Sequence, residues 1–171
     1  MLCNDTKVGK DNKLTGDPTE TALVDMGFNL SFKPEIFEML PRVAEIPFDS
    51  DRKLMTTIHK INDKYIVYTK GGVDELLKRC NKVYENGNVT TLDYSKTKLI
   101  ENQNNKMADE ALRVLAIAYL DIPSLPSKID SENIEKNLIF IGLIGMIDPP
   151  REGVKEAVTT CKKAGIKTVM I

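Results

Sequence analysis

No apolar run in the 171-residue chain approaches the roughly 20 residues that a helix needs to cross a bilayer. The start, Met1-Leu2-Cys3-Asn4-Asp5, lacks the basic stretch followed by an apolar stretch that marks a signal peptide. A soluble piece is expected, which leaves open what a longer parent contains. Cysteine is scarce. Cys3, Cys80 and Cys161 are odd in number, far apart and form no Cys-x-x-Cys pair, and the single His59 has no ligand-like neighbours. This argues against a disulfide framework or a zinc site and fits a reducing cytosol. Neither sign of charge prevails, with 24 Lys+Arg against 25 Asp+Glu. Such balance argues against a nucleic-acid binder that neutralises phosphates in bulk, and against a basic membrane-surface domain. Repeats and low-complexity tracts are absent. So are the Gly-x-x-x-x-Gly-Lys-Ser/Thr phosphate loop and the Gly-x-Gly-x-x-Gly turn, so any nucleotide must be held another way.

What is present suffices for one domain, or for one domain and a fragment of another, since 42% of the residues are hydrophobic. Asp17 can cap a helix, Pro18 suits its first position, and Glu20 can reach back to close a capping box. The helix continues over Thr21 to Met26 and is expected to end at Gly27. A short helix is read from Pro34. From Arg42 the period changes to two: Val43 to Phe48, Lys53 to Lys60 and Tyr65 to Thr69 read as strands, with a turn at Asn62-Asp63. Gly71-Gly72 interrupts before a short helix, Asp74 to Cys80. Lys82 to Glu85 and Val89 to Leu92 flank a second hairpin turn, Asn86-Gly87. Asp93 can cap a longer helix carrying Leu99, Ile100, Gln103, Met107 and Ala111 at helical spacing. Arg113 to Leu120 and Leu138 to Ile147 read as further strands around a Pro/Ser loop at Pro123 and Pro126. The hairpins predict an α+β fold, an antiparallel sheet flanked by helices. After Asp148-Pro149-Pro150-Arg151, a helix from Glu152 to Ala164, closed by Gly165, precedes the apolar run Ile166 to Ile171. A strand, a helix and a strand in that order predict a short βαβ fragment of a second domain. The double proline suits the joint between the two.

Several residues are candidates for chemistry, each with a plainer alternative. Lys70 ends a strand before two glycines, so its ammonium can meet a phosphate while a ligand approaches Gly71 closely; it can equally be a solvated loop residue. Phe48 ends a strand before a polar turn, where its ring can stack on a base or simply belong to the core. Arg52 and Lys53 behind it are ligand contacts or surface charges. Glu20 either closes the capping box or accepts from an exocyclic amine. Arg113 pairs with a phosphate or with a nearby carboxylate.

Together these pieces resemble the P-type ATPases, in the calcium-pump-like (type II) branch. Six blocks in family order carry the resemblance: Leu2 to Asp5, Gly16 to Leu23, Phe48 to Met55, Lys70 to Gly72, Leu112 to Ala116, and Gly145 to Arg151. The resemblance implies an ATP-binding domain, residues 1–147, inserted into a phosphorylation domain of haloacid-dehalogenase type, with residues 148–171 as hinge and truncated piece of the latter. By matching position, Phe48 stacks on adenine, and Lys70 lines the pocket near adenine and the phosphate chain. Glu20 contacts the adenine edge or the rim with Thr19 beside it. Met55 is an apolar wall, Gly71 permits close approach, Arg113 binds phosphate, and Asp148, Pro149, Pro150 and Arg151 form the hinge. The implied partners are ATP and the phosphorylation, actuator and membrane domains of the same polypeptide, with no nucleic acid. The implied setting is a cytoplasmic domain of an integral membrane protein.

Departures from the family pattern bear on single contacts. Gly71-Gly72-Val73-Asp74 replaces the usual Gly-Ala-Pro-Glu and loosens the loop. Ser50 stands where animal calcium pumps carry a phosphate-holding arginine, which leaves Arg52 as a possible substitute. The Asp-Lys-Thr-Gly-Thr segment, whose aspartate takes the γ-phosphoryl group, is absent, and so are the Mg²⁺-binding aspartates. The expectation is a chain that binds ATP without completing phosphoryl transfer, and a parent in which hinge closure delivers the γ-phosphate. Two other classes remain. A free-standing haloacid-dehalogenase-type phosphatase needs a nucleophilic aspartate, and Asp49 and Asp51 have the spacing, although Pro47 and the following hairpin argue otherwise. A non-catalytic interaction domain would make the Lys70 turn merely structural.

Overall fold

A computed structural model of the chain describes residues 1–147 and 151–169; Asp148, Pro149 and Pro150 of the expected hinge lie outside the described residues. A two-stranded ribbon, β1 (Lys7–Val8) with β2 (Leu14–Thr15), comes first; its strands are too short to show a period in the sequence. It leads into α1 (Pro18–Asn29). Asp17 caps α1 from an extended backbone, its Oδ1 accepting from the Thr19 amide at 2.8 Å, and Pro18 takes the first turn. The helix does not end at Gly27. That glycine is buried within α1 because the Met1 side chain lies where a Cβ would stand. The left-handed residue that turns the chain off is Ser31, at φ +67°, which lets the Phe32 amide reach the Gly27 carbonyl.

After a single turn, α2 (Ile36–Met39), alternating residues build one sheet. Its strands are β3 (Arg42–Asp49), β4 (Leu54–Ile61), β5 (Lys64–Gly71), β6 (Cys80–Glu85), β7 (Asn88–Thr91), β8 (Arg113–Ile122) and β9 (Leu138–Met146). Their order across the sheet is β3-β4-β5-β8-β9-β6-β7. Tight turns join β4 to β5 and β6 to β7, as expected. The sheet is not wholly antiparallel, since β6 and β9 pair in parallel. A parallel pair needs a long crossover, and the chain between β6 and β9 supplies one. The helices α3 (Val73–Leu77), α4 (Tyr94–Asp109) and α5 (Ser131–Ile134) lie within the connections. α5 sits in the expected Pro/Ser loop, capped by Asp130, whose Oδ1 accepts from the Asn133 amide at 3.0 Å.

The period of two sorts the strands into two faces. On one, Leu54, Ala116 and Ala118 pack with Leu76 and Leu77 of α3 and with Leu138 and Phe140, while Ile58 and Val67 pack with Ile134 of α5. α4 covers this face with only part of its expected stripe. Ile100 packs on the core, Leu99 is exposed, and Ala111 lies past the helix at φ +57°. The other face carries Met55, Tyr68, Lys70, Leu115 and Ile117 and meets α1 and the first residues of the chain.

The final helix, α6 (Val154–Lys163), follows the expected span, with Gly165 beyond it at φ +73°. Of the strand expected over Ile166 to Ile171, residues 166–169 form none, and Met170 and Ile171 lie outside the described residues. A new strand needs a free strand side to bond to, and both sides of β9 are already taken by β8 and β6. The fold is therefore α+β, and among the described residues the βαβ fragment is represented by its helix alone.

Candidate functional site

A cleft of about 470 Å³ opens on the face opposite the main core, where α1 meets β4, β5 and β8. Its floor follows from strand register. Met55 and Lys70 are paired residues of β4 and β5, and Gly71 pairs with Ala116 of β8, so alternation presents Met55, Lys70 and Leu115 together. Met55 and Lys70 are buried. The Lys70 ammonium donates to Glu20 Oε1 at 2.5 Å, and Glu20 Oε2 accepts from the Asp5 amide at 2.9 Å. Glu20 thus closes no capping box; its carboxylate is drawn to the buried ammonium and joins α1 to β5.

Phe48 lies on the same cleft and is 62% exposed, so it is not a core residue. The ladder between β3 and β4 shifts register between Ile46 and Asp49, and this bulge removes Pro47 and Phe48 from regular pairing. Behind it, Asp49 Oδ1 accepts from the amides of Asp51 and Arg52 at 3.1 and 2.8 Å. Asp49 and Asp51 therefore build an antiparallel hairpin turn, unlike the end of a parallel strand that a phosphatase nucleophile requires.

Gly71 has φ +153°, and a Cβ there would fall on the Lys53 carbonyl oxygen and within 2.9 Å of Leu54 Cα. The close approach that its sequence position suggested is made by the chain itself. The Gly72 amide donates to the same Lys53 oxygen at 3.0 Å.

Arg113 stands at the rim, its Nη1 donating to Thr19 Oγ1 at 2.7 Å. Hydrogen bonds from Thr19, the side chain first, hold the Asp17 carboxyl below the usual carboxylate range, and Arg113 adds to this. Asp5 is paired with Arg42 at 2.7 Å. Each carboxylate lining the cleft thus already has a partner of its own, so the donor set does not suit a resident Mg²⁺.

Seven of the eight candidate residues line this cleft: Thr19, Glu20, Phe48, Met55, Lys70, Gly71 and Arg113. Arg52 does not. Its side chain turns to the opposite face of the sheet, donating to Glu135 Oε1 at 2.5 Å and to the Pro47 carbonyl at 2.6 Å. The buried Glu135 carboxylate draws it there. Sequence reasoning gave Asp5, Asp17 and Leu115 no place in the site. Alternation from Arg113 would have found Leu115, whereas Asp5 arrives only through the tertiary fold. Arg151 is exposed at the start of the α6 segment.

A second hollow of about 290 Å³ lies on the other side of Lys70, among Met1, Leu23, Met26, Tyr68 and Ile117. It lacks the polar edges that surround the larger cleft.

The family model described as P-type ATPase, cytoplasmic domain N, matches residues 1–153. Calcium-transporting ATPase 1 of Bacillus cereus is 45% identical over 172 residues, covering 100% of this chain and 19% of that protein. Calcium-transporting ATPase 1 of Lactococcus lactis is 41% identical, covering 100% of this chain and 20% of its own length. Sodium/potassium-transporting ATPase subunit alpha-4 of the rat is 36% identical over 168 residues, 92% of this chain and 16% of that protein. The chain spans between 16% and 20% of the length of these relatives.

Proposed function

The chain belongs to the P-type ATPase family as its cytoplasmic domain N, and from that premise we propose that the cleft binds ATP for a cation pump of which this chain is one part. The observation that carries the reading is the exposed Phe48 ring beside an apolar floor of Met55 and Leu115, with Lys70 at its end. That combination suits a flat heteroaromatic base better than a bare polyphosphate. Phe48 stacks on adenine and Met55 forms the wall. Glu20 and Thr19 stand at the rim near the adenine edge. Lys70 lies near adenine and the phosphate chain, Gly71 keeps the strand end slim, and Arg113 meets phosphate. Adenine is the main handle, because Lys70 is already engaged by Glu20.

Residues 1–147 are the nucleotide-binding domain, and 148–171 are the hinge, from Asp148 to Arg151, with a piece of the phosphorylation domain. The parent is an integral membrane hydrolase whose cytoplasmic side carries this domain. Hinge closure would bring the γ-phosphate to an aspartate outside this chain, a proximity effect. Mg²⁺ accompanies ATP there and is held by residues outside this chain. Relatives named for calcium and for sodium and potassium share this segment, so it does not set the ion. Calcium is the ion proposed, from the branch resembled.

Amide NMR during an ATP titration, repeated with ADP, with GTP and without magnesium, tests the reading. Shifts should cluster at Phe48, Lys70, Gly71 and Arg113, favour adenine nucleotides and need no magnesium. Phe48→Ala should weaken ATP by about 1–3 kcal/mol, the usual worth of one base stacked on an aromatic ring. Lys70→Ala should also weaken it. If both variants bind ATP as the parent chain does, the site is misassigned.

A further inference from the structure

The exposed Phe48 ring has little packing of its own to hold it, so its position depends on the backbone of the bulge. Pro47 lies in the break of the β3–β4 register, where its carbonyl accepts from a side chain. Arg52 supplies the donor from five residues on. One guanidinium nitrogen, Nη2, reaches the Pro47 carbonyl at 2.6 Å, and the other, Nη1, reaches Glu135 Oε1 at 2.5 Å. Glu135 closes the single turn of α5 and its side chain is fully buried. Its Oε1 also accepts from Thr56 Oγ1 at 2.6 Å, and Thr56 Oγ1 meets Thr69 Oγ1 at 2.9 Å. Thr69 immediately precedes Lys70. The network therefore runs behind the sheet, from the bulge that carries Phe48 to the strand position next to Lys70.

A fully buried carboxylate is costly unless paired, and apolar residues of similar volume often serve stability as well. What an apolar replacement cannot do is grip the Pro47 carbonyl. The planar fork of arginine, with two donors aimed at two fixed acceptors, holds direction as well as charge.

We propose that Arg52 and Glu135 form a clamp on the rear of the sheet that positions Phe48 for the base, so that Arg52 serves the cleft without entering it. This rests on the reading of the cleft as a nucleotide site. Both are positioning residues, since neither lines the cleft.

Calorimetric titration of the chain with ATP, AMP and tripolyphosphate, for Arg52→Met, Phe48→Ala and the double variant, tests the clamp, with amide spectra checking that each is folded. Arg52→Met should weaken ATP and AMP by the same factor, on the order of tenfold, and leave tripolyphosphate unchanged. In the double variant the two losses should not add, because both act through one ring. If Phe48→Ala weakens ATP while Arg52→Met does not, the clamp is refuted and the nucleotide site stands. An equal loss for tripolyphosphate would make Arg52 a phosphate contact, and additive losses would make it independent of Phe48; either refutes the clamp. If neither variant affects ATP, the nucleotide reading fails and takes the clamp with it. Should Arg52→Met not fold, Arg52→Lys replaces it with the same expected outcomes, since one ammonium keeps a cation for Glu135 but does not span to Pro47.

Discussion

Gly71 shows at the scale of one residue how the site depends on the chain's own geometry. Its φ of +153° and the Lys53 carbonyl against its missing Cβ exclude any side chain without local movement. Gly71→Ala should lower stability by about 1–3 kcal/mol, read as a fall in the urea midpoint at unchanged slope. An unchanged midpoint would show that the strand end relaxes freely. The sequence made this glycine legible as a point of close approach but not what approaches it, because Lys53 reaches it only once β4 and β5 pair. Glu20 has the same character. Its spacing from Asp17 fits a capping box, yet the buried Lys70 ammonium competes for the carboxylate and holds it at 2.5 Å. Arg52 was open to the same error, since a distant buried carboxylate, Glu135, decides its direction.

At the scale of elements, α1 is the part that local chemistry specifies best. Asp17, Pro18 and the following run place its start where the sequence predicts, and Asp17 accepts from the Thr19 amide. Asp17→Ala should cost about 1 kcal/mol, the usual worth of a helix cap. Because Thr19 and Glu20 in the first turn line the cleft, ATP should also bind more weakly to this variant. Thermal melts and a parallel titration check both, and a variant indistinguishable from its parent would separate the cap from the cleft. The end of α1 was not legible. Gly27 reads as a stop but lies inside the helix against Met1, a contact between residues 26 positions apart. The short β1 and β2 escaped for another reason, since two residues are too few to display a period.

At the scale of the whole molecule, one sheet separates a helix-covered core from the face that carries the cleft, and α6 buries none of its residues. A chain ended at Ile147 should therefore keep its melting temperature within about 4 °C, the shift expected for roughly 1 kcal/mol at this size. It should also keep its ATP affinity. A larger fall in either would place residues beyond 147 within the folding unit. The sequence by itself determined the seven strands of the main sheet and its two tight hairpin turns, because a period of two and turn chemistry act over a few neighbouring residues. The resemblance to the P-type ATPases, rather than the period, put Met55, Lys70 and Arg113 in one expected site. Only the tertiary structure decided that β6 lies parallel to β9, that Glu20 answers Lys70, and that Arg52 turns away to Glu135. Those outcomes join residues 50 to 83 positions apart, and burial sets the strength of a charge's pull only after the chain has closed around it.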